Sequence, residues 1–119
     1  MSRVSTIEHE GVSILLIDWT ELNLEGISEL MEEARAIIHS SPPLSVLALS
    51  DFTDTRYDKA TTDMLAEYAA SNKPYMKASA LVGITGMKKI LYNVAKRISG
   101  RNFSLHETRE EAIRWLASQ

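Results

Sequence analysis

The sequence predicts a single α/β domain over residues 1–119: a mostly parallel sheet of four or five strands, with an N-terminal edge strand and about four helices. Three observations carry that prediction. Short aliphatic runs of strand length alternate with segments whose apolar residues recur at helical spacing. Proline, glycine or a capping side chain stands at most of the changes between the two. A chain of 119 residues, 45% of them hydrophobic, is long enough for one core and leaves no room for a second of ordinary size.

Residues 4–9 read as the edge strand, closed by Gly11. Residues 12–17 are apolar enough to be buried on both faces, as in a central strand. From Asn23, a good N-cap, Ile27, Leu30, Met31, Ala34, Ile37 and Ile38 form one helical stripe, which Pro42 and Pro43 end. A second buried strand follows at 44–49, then a polar loop at 50–57. Asp58 caps a helix that turns Thr61, Met64, Leu65, Tyr68 and Ala69 inward and stops at Asn72-Lys73-Pro74. Residues 78–84 make a third strand. Thr85-Gly86 opens a helix with Met87, Ile90, Leu91, Val94, Ala95 and Ile98 inward, and Ser99-Gly100 closes it. A short strand at 103–105 leads to Thr108-Arg109-Glu110-Glu111, a capping box for a last helix that buries Ala112, Trp115 and Leu116.

This order of elements, with the stretches Asp51-Phe52-Thr53-Asp54-Thr55-Arg56-Tyr57-Asp58, Asn72-Lys73-Pro74-Tyr75, Val82-Gly83-Ile84-Thr85-Gly86 and Ser99-Gly100-Arg101, resembles the SpoIIAA-like branch of the STAS superfamily (sulfate transporter and anti-sigma-factor antagonist domains). The resemblance covers nearly the whole chain and is nearest to small stand-alone bacterial members labelled STAS/SEC14-like. It implies a four- or five-stranded sheet with four helices. Anti-sigma antagonists carry a phosphorylatable serine where the second helix opens. The matching residues 55–59 contain neither serine nor glycine, so that switch is not carried over, and Thr53 and Thr55 are left as candidate acceptors.

Composition removes several classes of function. The chain has no cysteine, hence no disulfide, thiolate nucleophile or Fe–S cluster. Its apolar runs are too short to span a bilayer, and its N-terminus lacks the pattern of a signal peptide, so a cytoplasmic protein without an integral membrane segment is expected. His9, His39 and His106 lack zinc-ligand spacing, and no serine sits in a Gly-x-Ser-x-Gly elbow. Asp18, Asp51 and Asp54 offer carboxylates at strand ends that could ligate Mg²⁺, but loop-capping aspartates are commoner. The expectation is therefore no metal, no cofactor and no catalytic residue. A pI near 5.6 without any nucleic-acid motif argues against a nucleic-acid partner.

Charge is segregated along the chain. Residues 1–67 hold 4 basic and 13 acidic side chains, whereas residues 68–106 hold 7 basic ones and no acid. Glu25, Glu29, Glu32 and Glu33 fall on the outer face of the first helix; Lys88, Lys89, Asn93, Lys96 and Arg97 fall on that of the third. The plain reading is solvation. The sharper one is that the two faces meet across a homodimer or recognise a charged protein partner.

In parallel α/β sheets, ligands sit beyond the carboxyl ends of the strands. The candidate contact surface is accordingly Asp51, Thr53, Asp54, Thr55, Arg56, Tyr57 and Asp58 with Thr85, Gly86, Lys88 and Lys89, where Thr85-Gly86 offers a helix N-terminus near two lysines. Tyr57 and Tyr75 are the aromatics expected to be exposed there. The reading of function is a non-catalytic interaction module that uses this surface. The alternative is a small anionic or amphipathic, lipid-like ligand in the crevice at the same strand ends.

Overall fold

The chain opens with an antiparallel hairpin, β1 (Val4–His9) paired to β2 (Val12–Asp18). Glu10 and Gly11 at its tip both have positive φ, 51° and 81°, which gives a two-residue loop the twist of the strands it joins. The computed structural model describes residues 2–55, 58–101 and 103–119, apart from the side chains of Met87, Leu91 and Ile98. After the hairpin come α1 (Leu24–Ile38), β3 (Val46–Asp51), α2 (Lys59–Asn72), a 3-10 turn (Lys73–Tyr75), β4 (Met76–Val82), α3 (Met87–Ser99), β5 (Ser104–His106) and α4 (Arg109–Ala117). The expected edge strand, parallel sheet and four helices are all present.

The strands lie in chain order, β1-β2-β3-β4-β5, and β2 to β5 are parallel. That order decides where the helices go. Right-handed crossovers that always step in one direction deliver their helices to one face of the sheet. So α1, α2 and α3 share a face and pack with Ile17, Ala48 and Leu81, while α4, which follows the last strand, covers the other with Ala112 and Leu116 against Ile14, Leu47, Leu49, Ala80 and Val82. β3 shows the period-two logic: Val46 and Ala48 face the three helices, Leu47 and Leu49 face α4.

Three of the four expected N-caps form. Asn23 accepts from the Gly26 amide, Asp58 from Thr61 and Thr108 from Glu111. The fourth is a correction: the cap position of α3 is Gly86, which has no side chain to offer, and Thr85 lies exposed before it. β3 and β4 also start and end two residues off the expected registers. Leu44 is turned out at φ 54° and 66% exposed, and Gly83, at φ 86°, stops β4.

The helix stripes need correcting as well. Ile90 is 60% exposed and Val94 37%, so neither belongs to the core; Lys88, Tyr92, Ala95 and Ser99 form the less exposed line of α3 instead. This face lies on α2, whose small Ala66 and Ala69 let the helices approach. The expected inward positions Met87, Leu91 and Ile98 lie outside the described side chains. On α1, Ile37 is exposed while the rest of its stripe is buried.

Candidate functional site

The strand-end surface is built, and several of its residues are occupied with holding the fold. Asp18 and Asp51 are register partners at the ends of adjacent parallel strands. Left alone, the two carboxylates would repel. Arg109, at the start of α4, stands between them, with Nε 2.7 Å from Asp51 Oδ2 and Nη2 3.7 Å from Asp18 Oδ1; Arg3 reaches Asp18 from the other side at 3.6 Å. Thr53 adds its hydroxyl and amide to Asp51 Oδ1 at 2.6 and 3.0 Å, as Thr20 does to Asp18. Burial works to raise the Asp51 carboxyl, yet the bonds from Thr53 and Arg109 outweigh it and hold the group below the usual carboxylate value. These acids therefore serve a structural clasp with arginine at its centre.

Thr55, one of the two candidate phosphate acceptors, is 3% exposed and donates its hydroxyl to the Trp19 carbonyl at 2.6 Å. Asp58 is taken by the α2 N-terminus, where the Thr61 amide and hydroxyl hold its carboxyl below the usual value. Lys88 is not free to solvent either. Its ammonium donates to the carbonyls of Phe52 and Gly83 at 2.8 and 3.3 Å, tying the loop after β3 to the loop after β4. Thr53, Asp54, Thr85, Gly86 and Lys89 remain exposed, and Asp54, Thr55 and Lys88 border an open dip with Glu21, Leu22 and Asn23. Arg56 and Tyr57 lie outside the described residues. Tyr75 is half-buried and stacks on His39 at 4.7 Å. His106 engages Ser104 Oγ at 2.7 Å and packs beside Trp115.

A different feature has the makings of a binding site. Between the sheet and α2 and α3 lies a cavity of about 90 Å³. Its floor is the sheet face at Ile17, Ala48, Ser50, Ser79 and Leu81; Leu65, Tyr68, Ala69 and Asn72 of α2 and Tyr92 and Ala95 of α3 roof it. Trp19 and Phe52, stacked at 5.3 Å, close the end beneath the strand termini, with Tyr68 edge-on to Trp19 at 5.8 Å. The volume follows from the sequence. Ala48, Ser50 and Ser79 put small side chains on a face where neighbouring positions carry Ile17 and Leu81, and Ala69 and Ala95 do the same from above. Strand order never reverses in this sheet, and this space lies under the helices rather than at the strand ends.

Polar groups converge on this mostly apolar space. The Trp19 indole N–H is buried and makes no hydrogen bond among the described residues, and the buried Tyr68 hydroxyl lies beside Asn72. Asn72, 1% exposed, accepts through its amide oxygen from His39 Nε2 at 2.9 Å. Burial pushes the Tyr68 phenol up to about 12, with Asn72, Arg101 and Arg35 opposing the shift, so the hydroxyl keeps its proton at neutral pH. Arg101 enters from the α3–β5 connection, its guanidinium 4.5 Å from the centre of the Phe103 ring. It donates to the Ala69 carbonyl at 3.2 Å and to Ser79 Oγ at 2.5 Å. Burial lowers its pKa to about 10, nearby Tyr68 opposing, which leaves it charged. None of these cavity residues belonged to the expected site. The signal available was the small and polar residues inside otherwise aliphatic strands.

No family model and no curated protein sequence matches the chain. Among solved structures it is similar to an uncharacterised protein of the DUF3478 family with a SpoIIAA-like fold from Shewanella loihica PV-4, at 15% identity and a TM-score of 0.71, covering 95% of this chain and 91% of that one. The chain thus has the SpoIIAA-like fold. No helix among the described residues is long and apolar enough to cross a membrane.

Proposed function

We propose that this SpoIIAA-like domain is a non-catalytic binding module that holds a small amphipathic ligand between the sheet and α2 and α3. The observation that carries the reading is the cavity of about 90 Å³ in the larger core, lined almost wholly by apolar side chains with Arg101 among the lining residues. Native cores are close-packed. A ligand with an apolar body fills the space, and Arg101 on the lining offers a contact for a polar end. A few polar groups around an apolar pocket are the general pattern of small-molecule sites.

The test is an NMR titration of methyl-labelled protein with short 1-alkanols. Shifts confined to Ala48, Leu65, Ala69, Leu81 and Ile84, and lost in an Ala48→Leu variant that fills the space, are the expected result. Shifts gathered on exposed Leu44 and Ile90, or none at all, overturn it.

A second reading, protein contact, is favoured by the helical layer. Because α2 packs against both α1 and α3, the exposed Glu25, Glu29, Glu32 and Glu33 and the exposed Lys89, Lys96 and Arg97 stand on opposite margins of one layer. Such polarity suits a charged protein partner or a head-to-tail homodimer. Sedimentation at low and high salt checks self-association: a dimer that dissociates with salt supports it, and a monomer at both removes the homodimer.

A further inference from the structure

We infer that Arg101 is the anion-recognition group of this cavity and that the ligand is a small monocarboxylate with an apolar body, its carboxylate received by the guanidinium. The inference rests on the proposed cavity reading and adds the ligand's chemistry to it.

Arg101 is a partly buried cation in an apolar setting, and such charges are ordinarily paired. Here it has no carboxylate within ion-pair distance among the described residues, and the sequence holds no acid anywhere from 68 to 106. Its two side-chain bonds go to neutral acceptors, the Ala69 carbonyl and Ser79 Oγ. A guanidinium has five N–H donors in a planar fork, a shape that fits the two oxygens of a carboxylate, and these bonds use two of the five. Phe103 fixes the plane of the fork by stacking.

Size sets the rest of the molecule. A cavity of about 90 Å³ is smaller than the roughly 150 Å³ that encloses a benzene ring, so an apolar body of about four carbons suits it.

The experiment compares the full chain's binding of butyrate, 1-butanol and butyl phosphate by NMR titration, with Arg101→Met and Arg101→Lys variants alongside. Butyrate binding at least about tenfold tighter than 1-butanol, with that preference lost in Arg101→Met and reduced in Arg101→Lys, is expected. The wild-type comparison stands even if a variant misfolds. Equal binding of butyrate and 1-butanol overturns the inference and leaves the cavity reading intact. Tighter binding of butyl phosphate overturns the carboxylate assignment. If no probe moves a cavity resonance, the inference and the cavity reading fall together.

Discussion

Replacing Arg109 with Met removes the cation between Asp18 and Asp51 while keeping most of the side chain's apolar bulk. Breaking a fully buried pair costs about 3–5 kcal/mol, and losing an exposed one about 0.2–1 kcal/mol. This pair lies between those limits, since the Asp51 side chain is 8% exposed and that of Arg109 38%. Asp51 would keep both bonds from Thr53, and a cation would leave the positive end of α4, where it is unfavourable. The expected loss is therefore about 2 kcal/mol. With an unfolding entropy of about 2.1 cal/mol/K per residue, a chain of 119 residues changes by about 0.25 kcal/mol per degree, so Tm should fall by about 8 °C at pH 7. Acid supplies a second signature. The native Asp51 carboxyl lies below its ordinary 3.8, so its stabilising effect is complete above that value and disappears as pH falls through the native one. The gap between wild type and Arg109→Met should narrow below about pH 4. Calorimetry across pH is the assay, with Arg114→Met as a control elsewhere on α4. A Tm within about 2 °C of wild type, or a gap that does not shrink in acid, refutes the clasp.

Two further predictions concern the same end of the sheet and the cavity. A Cβ on Gly83 would stand 2.5 Å from the Thr53 amide nitrogen at φ 86°, whereas one on Gly86 meets nothing within 4 Å at φ 57°. Gly83→Ala should cost about 3 kcal/mol in urea unfolding and Gly86→Ala about 1 kcal/mol; equal costs would show that the two loops do not meet as described. Tyr68, with its phenol near 12, should be the last tyrosine to ionise in an ultraviolet titration, and Tyr68→Phe should remove that late step. Because its native pKa is raised, Tyr68 contributes stability that is complete below the ordinary phenol value of 10.0 and is lost as pH climbs towards 12. Ionisation of all tyrosines together in native protein would contradict its burial.

The fold was legible because local patterns sufficed. Asn23, Asp58 and Thr108 marked helix starts with side chains that do cap, and the aliphatic runs of β2, β3 and β4 could only be buried strands. The site was legible only as far as placing loops at one end of a sheet. Asp51, Thr55 and Lys88 looked free because their partners are Arg109, the Trp19 carbonyl and the Phe52 carbonyl, 58, 36 and 36 residues away. Spacing reports neighbours within an element, not such crossings. α3 misled for another reason. Its apolar residues exceed what one stripe needs, so periodicity could not tell that Ile90 and Val94 face out while Lys88 turns in. The cavity was written as missing bulk at Ala48, Ser50 and Ser79, a signal that depends on knowing which face of each strand is covered.

That a single nine-residue helix closes one whole side of the sheet bears on how the chain matures. α4 leaves the ribosome after every strand has been made. Until it docks, Ile14, Leu47, Leu49, Ala80 and Val82 present an open aliphatic surface to any chaperone or neighbouring nascent chain. Over the same interval Asp51 waits without Arg109, the cation that neutralises it. One late event thus hides the sticky face and relieves the repulsion at the strand ends, so a ribosome stalled short of Arg109 would carry an intermediate that is both adhesive and electrostatically strained.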